Sequence, residues 1–214
     1  MESGIDCGLY RESTESEEMK GYNTVLQAQL DLLERIVMLN QPLFDILIKA
    51  ASIGLQDYYI GAGCVAQSVW NYQMGLELTS GISDIDFVYF DNYDLSIEAE
   101  SLTIAKVESL VNPCLIKLDI KNQARVHLWY KNHFGYDIKP YESLEDAINT
   151  WPTTATSIGI RLEDNKLKVY APFGLNDLFG MIVRANKAQI TEEIYARKVE
   201  KWSAKWPALT VIPW

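Results

Sequence analysis

The chain has 214 residues, of which 48% are hydrophobic and 22% charged, and its formal net charge is −10 with a pI of about 4.7. This composition predicts an ordinary globular chain with a sizeable core. A long nucleic acid duplex, which is bound through cationic contacts to phosphate, is an unfavourable partner for so acidic a chain. Neither a signal peptide nor an uncharged apolar run of membrane-spanning length is evident, so we expect a cytoplasmic protein without a membrane partner.

The first part of the chain predicts a tail followed by two helices. Residues 1–20 are polar and acidic, and we expect them to be flexible. A stripe at helical spacing then predicts a helix that ends near Asn40: Leu26, Leu30, Leu33 and Val37. Pro42 opens a second helix, whose apolar positions include Leu43, Leu47 and Ala51. Both helices are expected to brace a sheet.

The next segment predicts a strand, a glycine turn and a helix. Residues 56–60 have the composition of a strand, Gly61-Ala62-Gly63 forms the turn, and Val65 and Val69 begin a helical stripe. Glycines allow backbone N–H groups to approach an anion, and a helix N-terminus carries partial positive charge. We therefore expect Gly61, Gly63 and Cys64 to form a binding site for a triphosphate.

Two carboxylates follow on an apolar strand, at Asp84 and Asp86. Residues two apart on a strand point to the same face, and two like charges so close together favour a bound divalent cation. Carboxylate oxygens suit Mg²⁺, which commonly joins a protein to substrate phosphates. The pair therefore predicts phosphate chemistry that depends on Mg²⁺, with Mn²⁺ as a possible substitute.

A third carboxylate, Asp119, lies on a predicted half-buried strand between Lys117 and Lys121. Three acids on neighbouring strands are able to bridge two metal ions about 3.5–4 Å apart, so Asp119 is expected to join the metal ligands. The alternative is that Asp119 pairs with one of the adjacent lysines as a surface charge.

Asn122 and Arg125 follow this strand, and each has two interpretations. The Asn122 amide and the Arg125 guanidinium could contact a nucleotide, and Lys117, Lys121 and Arg125 could form a basic lining. Alternatively, Asn122 caps the strand end and Arg125 pairs with an acid elsewhere. The histidines and tryptophans are interpreted as packing residues, because neither metal-ligand spacing nor a basic groove accompanies them.

The second half predicts a hairpin from residues 157–162 and 166–170, and a helix capped by Thr191. The whole predicts an α/β (α+β) fold, with a mixed sheet, packing helices and an additional C-terminal α/β portion. We expect one domain over residues 21–214, in which the part after about residue 141 could form a lobe facing the substrate.

Four segments together resemble a bacterial nucleotidyltransferase family, formerly classed as a domain of unknown function, within the DNA polymerase beta-like superfamily. They are residues 60–71, 84–91, 121–127 and 151–156, and the resemblance covers roughly residues 22 to 214. It implies that Asp84, Asp86 and Asp119 bind metal and that Gly63 contacts phosphate. Cys64 stands where the superfamily usually has glycine or serine.

The expected function is transfer of a nucleotidyl group from a nucleoside triphosphate, such as ATP, to an acceptor hydroxyl, with release of pyrophosphate. Asp84, Asp86 and Asp119 are the expected catalytic residues, and the acceptor is a small molecule or a protein. One alternative is a non-catalytic module on the same fold that senses nucleotides or binds a protein. A glycosyltransferase is the remaining alternative, and it leaves the glycine turn and Asp119 without a role.

Overall fold

The computed structural model describes residues 20–111 and 116–214, so Cys7, Cys114 and nearly all of the expected N-terminal tail lie outside the described residues. The helices are α1 (Leu26–Leu39), α2 (Gln41–Ala51), α3 (Gly63–Gln73), α4 (Ile97–Val111), α5 (Val126–Phe134), α6 (Leu144–Ile148), α7 (Asn176–Phe179) and α8 (Glu192–Ser203). The strands are β1 (Tyr58–Gly61), β2 (Asp84–Tyr89), β3 (Lys117–Asn122), β4 (Gly159–Glu163), β5 (Lys166–Tyr170), β6 (Ile182–Val183) and β7 (Thr210–Val211). The predicted helices and hairpin are therefore present.

Five strands form the central sheet in the order β3-β2-β1-β4-β5. Strands β2 and β3 are parallel, whereas the other neighbours are antiparallel, so the sheet is mixed. Strands β6 and β7 form a separate parallel pair in the C-terminal part of the chain. The predicted mixed α/β fold class is confirmed.

The two faces of the sheet have different surroundings. Tyr58, Ile60 and Phe87 belong to the main core, which they share with apolar residues of α1 to α4. On the opposite face, Tyr59 and Val88 are paired across the strands and pack against Leu144 and Ile148 of α6. Since side chains alternate along a strand, Asp84 and Asp86 point to the same face as Val88. Helix α6 covers only part of that face.

The helices α1 and α2 meet at Asn40, which ends the first and caps the second. The Asn40 carboxamide oxygen accepts the Leu43 N–H, and its Nδ2 donates to Ser68 Oγ at 2.8 Å. The buried face of α2 consists of Leu43, Ile46, Leu47 and Ala50. The expected inward position of Ala51 is wrong, because the buried face of the helix ends at Ala50 and leaves Ala51 exposed.

The C-terminal helix α8 is held against α3 by three indole rings. Thr191 caps α8 by accepting the Ile194 N–H, as predicted. Trp202 and Trp206 lie edge-on to Trp70 of α3, with ring centroids 5.6 and 5.5 Å away. Such edge-to-face packing adds orientation to the burial of large rings. The position of α8 relative to α3 is therefore well defined.

The part of the chain after residue 141 takes part in the central sheet. Ile160 of β4 pairs with Ile60 of β1, so the segment after residue 141 contributes to the central sheet. The domain boundaries stay a prediction.

In the part of the chain that the structure describes, no helix has the length and apolar character needed to cross a membrane.

Candidate active site

A cavity of about 510 Å³ opens over the uncovered face of the sheet. Its charged residues are Asp84, Asp86, Asp119, Lys121, Lys198 and Lys201. Its aromatic residues are Trp129, Tyr130, His133, Phe134, Tyr141, Trp151 and Trp202. The turn before α3 contributes Ala62 and Gly63. The cavity thus contains the three predicted carboxylates and the predicted phosphate turn.

The register of the sheet places the main site residues in one row. Gly61 pairs with Asp86, and Asp86 pairs with Asp119 on the parallel neighbour β3. Adjacent strands lie about 4.8 Å apart, so the carboxylates of Asp86 and Asp119 start from neighbouring backbone positions. Asp84 is two residues before Asp86 and shares its face. The sequence prediction that these three acids come together agrees with this register.

Asp86 has the most perturbed acidity of the three carboxylates. Burial chiefly, and then the negative charges of Asp84 and Asp119, raise its pKa to about 7, in opposition to the lysines Lys121 and Lys198. A raised pKa of a carboxyl group means that its ionised form is disfavoured in this environment. The ionised form of Asp86 is therefore disfavoured in the folded protein, and a bound cation would favour it.

Two lysines balance part of this charge. Lys121 forms an ion pair with Asp119 on the same strand. Lys198 of α8 has a lowered pKa, chiefly because it is desolvated, although the carboxylates of Asp86 and Asp84 oppose the change. Its Nζ also lies 5.5 Å from the centroid of the Trp202 ring. Lys198 therefore brings a positive charge to the carboxylates from a helix that is distant from them in the sequence.

Lys198 and Lys201 are absent from the residues that the sequence motifs predict. Both lie on the cavity face of α8 with Ile194 and Trp202, at spacings of four, seven and eight residues from Ile194. A lysine within an otherwise apolar helical stripe was the available signal. The tertiary structure shows that this face turns toward the carboxylates, because Lys198 and Lys201 line the same cavity as Asp84, Asp86 and Asp119.

The turn between β1 and α3 is tightly packed and strained. The Ala62 N–H donates to the Ile158 carbonyl at 2.9 Å, and a Cβ at position 61 would lie 2.2 Å from the same oxygen. Position 61 therefore requires glycine. Ala62 itself has φ of 56° and ψ of −129°, a conformation that residues with a side chain rarely adopt. Such strain is often retained at binding sites.

Helix α3 begins directly after this turn, at Gly63. Within the described residues, no side chain caps this helix end. The first N–H groups of a helix have no partner within the helix, so they are suited to bind an anion. A Cβ at position 63 would meet the Gln67 amide nitrogen at 2.9 Å, and both residues line the cavity.

Cys64 and Gly61 lie behind the cavity surface. The Cys64 side chain is buried, and its Sγ donates to the Gly61 carbonyl at 3.0 Å. Burial raises the pKa of this thiol. The side chain of Cys64 therefore stabilises the turn, and only its backbone N–H is available for the predicted phosphate contact.

Asn122 and Arg125 make structural contacts and do not line the cavity. The Asn122 Oδ1 accepts the N–H groups of Asp91 and Ala124. The Arg125 guanidinium is buried, donates to the Leu95 carbonyl at 2.9 Å and pairs with Glu100. Of the two interpretations, this geometry favours capping and ion pairing over nucleotide contact.

The expected basic lining also differs from the observed one. Lys117 is exposed and outside the cavity, whereas Lys121 lines it together with Lys198 and Lys201. The interpretation of the histidines and tryptophans as packing residues is incomplete, because His133 and three tryptophans line the cavity: Trp129, Trp151 and Trp202. Isolated aromatic residues in a sequence do not show which of their faces remain open.

The described side chains that could bind a metal ion are not yet arranged around a common point. Across residues 20–111 and 116–214, no three Asp, Glu, His or Cys side chains are arranged so that they could enclose one metal ion. The ion pair of Asp119 with Lys121 accounts for this physically, since the ammonium holds one of the three carboxylates. The oxygen donors are nevertheless of the type that Mg²⁺ prefers.

This arrangement defines the nucleotidyltransferase class of fold. It consists of a strand, a glycine turn and a helix, followed by paired carboxylates on one strand and a third acid on the parallel neighbouring strand. A family model described as Nucleotidyltransferase matches residues 49–211, and the chain belongs to this family. A solved NMR structure, described as revealing a CCA-adding enzyme head domain, is similar, with 25% sequence identity and a TM-score of 0.71. The similarity covers 92% of this chain and 100% of that chain. No curated protein matches. The expected superfamily and nucleotidyl transfer in general are thereby confirmed.

Proposed function

We propose that this protein transfers a nucleotidyl group from a nucleoside triphosphate to an acceptor hydroxyl, with a divalent metal and with release of pyrophosphate. The observation that carries the proposal is the row of Gly61, Asp86 and Asp119 across three adjacent strands. This row sets a phosphate turn beside a pair of carboxylates, at the floor of one cavity. The family match supports nucleotidyl transfer, and the row suggests which residues perform it.

The metal would be held by Asp84, Asp86 and Asp119. Their carboxylate oxygens fit such an ion, and the pKa of Asp86, raised chiefly by burial and then by Asp84 and Asp119, means that a bound cation would favour its ionised form. Bound Mg²⁺, or Mn²⁺ in its place, supplies charge neutralisation for the phosphates. For Asp119 to become a ligand, its carboxylate must exchange Lys121 for the metal, which frees that ammonium for a phosphate oxygen.

The triphosphate has two sets of partners in the cavity. The turn at Ala62 and Gly63, with the N-terminus of α3, offers backbone N–H groups. Lys198 and Lys201 offer ammonium groups from α8, the helix whose Trp202 packs on Trp70 of α3. Lys198 is partly desolvated, and a desolvated cation interacts more strongly with an anion than an exposed one does. We assign Lys198 to the β- and γ-phosphates.

We assign to Asp119 the role of the base that takes the acceptor's proton. The acceptor oxygen forms a bond to the α-phosphorus, and the bond from that phosphorus to the oxygen bridging to the β-phosphate breaks. Pyrophosphate leaves with the bonding electrons, and the hydroxyl proton passes to a base, for which Asp119 is our candidate. Asp84 and Asp86 would hold the metal, which neutralises the charge of the phosphates.

The test is calorimetric titration of ATP, GTP, CTP and UTP into the wild type and the Asp86→Asn variant, with and without Mg²⁺. We expect at least one nucleotide to bind with Mg²⁺ and to lose at least about a hundredfold in affinity in the variant, since even residues that support metal ligands contribute 10–100-fold. Equal binding by a well-folded Asp86→Asn protein would overturn the metal assignment, and no binding of any nucleotide would overturn the proposal.

A second candidate is a module on the same fold that senses nucleotides without transferring them. The observation that favours it is the Asp119–Lys121 ion pair, which occupies the candidate base. A sensor would bind a nucleotide with metal but would release no pyrophosphate with any acceptor. Measurement of pyrophosphate during incubation with pooled hydroxyl-bearing metabolites therefore separates the two functions.

A further inference from the structure

One face of helix α5 forms an aromatic wall in the cavity. Its members recur at the spacing of a single helical face: Val126, Trp129, Tyr130, His133 and Phe134. The Trp129 and His133 rings are perpendicular with centroids 6.2 Å apart, and those of Tyr130 and Phe134 are 4.4 Å apart. Tyr130 is almost completely buried, whereas Trp129 is partly exposed and His133 is exposed. This arrangement leaves aromatic surface for a ligand.

Hydrogen bonds between uncharged groups hold the neighbouring side chains in place. The Tyr141 hydroxyl is 2.8 Å from Thr150 Oγ1 and donates to Gln189 Oε1 at 3.0 Å. The Tyr136 hydroxyl donates to the Gln189 carbonyl at 2.6 Å and lies 3.2 Å from the Tyr130 hydroxyl. A wall braced in this way is preorganised, so a ligand does not have to order it.

The wall lies on the acceptor side of the proposed reaction. Across the sheet the order is the phosphate turn after β1, Asp86 on β2 and Asp119 on β3. Pyrophosphate leaves toward the turn, so an in-line attacking hydroxyl must approach from the side of Asp119. Helix α5 begins a few residues after the end of β3. The chain therefore places its aromatic surface where the acceptor has to enter.

The charges of this region restrict the acceptor further. Among the described residues of α5 and of the segment 141–152 that line the cavity, none is a lysine, arginine, aspartate or glutamate. Of the nearby cations, Arg125 pairs with Glu100 and Lys131 pairs with Asp137, which leaves Lys121 as the cation beside Asp119. A phosphate-rich acceptor such as RNA depends on cationic contacts and would find few here.

We infer that the acceptor is an uncharged hydroxyl compound that carries an aromatic ring, and that this ring packs on Trp129 and His133. This inference rests on the proposed function. The acceptor's hydroxyl forms the new bond to the α-phosphorus, its proton passes to Asp119, and pyrophosphate leaves as described above. The ring fixes the direction of the hydroxyl and contributes most of the acceptor's affinity.

The experiment compares matched probes that differ in an aromatic ring. Phenyl and methyl β-D-glucoside form one pair, and adenosine and ribose form the other. Binding is followed by saturation-transfer NMR in the presence of Mg²⁺ and the α,β-methylene analogue of the nucleotide that the titration identifies, which cannot lose pyrophosphate. We expect at least one ring-bearing probe to bind about tenfold more tightly than its partner. That preference should disappear in Trp129→Ala and persist in Leu128→Ala, which changes an exposed neighbour on the same helix.

The outcomes separate this inference from the proposed function. Nucleotide binding is measured first in all three proteins, and a wild type that binds none of the four nucleoside triphosphates refutes the proposed function itself. If the analogue binds and neither ring-bearing probe is preferred, the inference alone is refuted. Weaker analogue binding in Trp129→Ala would assign the wall to the donor base, and tighter binding of a short single-stranded RNA than of either probe would assign it to RNA. Either result overturns the inference.

Discussion

Asp86 and Asp119 stand directly opposite each other on two parallel strands, so one backbone register determines the distance between two carboxylates. Hydrogen bonding along β2 and β3 holds this pair in place without any contribution from the side chains. The cost is visible in the raised pKa of Asp86, to which Asp119 contributes. Repulsion is thus built into the metal-free fold.

The first prediction concerns stability against pH in metal-free buffer. The folded-state pKa of Asp86 is raised to about 7 from an ordinary 3.8, so the folded protein binds more protons than the unfolded chain between these values. The stability contribution of Asp86 therefore falls as pH rises from about 4 to about 7. We expect Asp86→Asn to melt above the wild type, by at least about 3 °C at pH 8 and by less at pH 5. A difference that is constant with pH, in thermal melts with EDTA, would contradict this.

The second prediction concerns Lys198. Lys198→Met keeps most of the apolar stem over Trp202 and removes the ammonium group. Because a hydrogen bond to a charged group contributes about 1.5–3 kcal/mol, affinity for a nucleoside triphosphate should fall by at least about tenfold. Affinity for the monophosphate should change by less than about threefold. Arg197→Met, which removes an exposed cation from the same helix, is the control, and calorimetry that shows equal losses in both variants would argue against a direct contact.

The third prediction contrasts the two glycines of the turn. In Gly61→Ala the new Cβ would lie 2.2 Å from a backbone carbonyl, so the strands must separate. We expect a fall in Tm of at least about 8 °C, or loss of soluble protein. In Gly63→Ala the neighbour is the flexible end of Gln67, so the fold should survive while triphosphate affinity falls. Thermal melts and calorimetry on both variants test this, and a stable Gly61→Ala protein would refute the packing argument.

The fourth prediction decides between the two interpretations of Arg125. Breaking a buried ion pair leaves an uncompensated charge, so Arg125→Met should lower Tm by at least about 5 °C without changing nucleotide affinity. The double variant Arg125→Met/Glu100→Gln should recover part of that loss, because it removes both charges. Lys131→Met, in an exposed ion pair, should change Tm by less than about 2 °C. Weakened nucleotide binding by a stable Arg125→Met protein would restore the alternative role.

The sequence predicted the local structure around the candidate site well, because local rules control it. The alternation of side chains along the strand placed Asp84 and Asp86 on one face, and the glycine turn predicted where α3 starts. The capping role of Thr191 and the hairpin around Asp164-Asn165 followed from turn and cap chemistry in the same way. In each of these cases the residues that decide the structure are neighbours in the chain.

The parts that were missed depend on contacts between distant segments. Lys198 faces Asp86 only because Trp202 packs on Trp70, and the sequence does not encode that pairing in any short motif. The aromatic wall depends similarly on how α5 turns over the sheet after β3. Arg125 was ambiguous because its partner, Glu100, lies in a different helix. Residue type alone does not fix such partners.

The three indoles around α3 give the molecule an optical reporter of its own. Trp70 lies within 5.6 Å of Trp202 and 5.5 Å of Trp206, and all three are buried. Chromophores this close and steeply inclined to one another couple their electronic transitions, so they should produce a strong near-ultraviolet circular dichroism band. The band would report whether α8, and with it the ammonium of Lys198, is seated against the rest of the enzyme in solution.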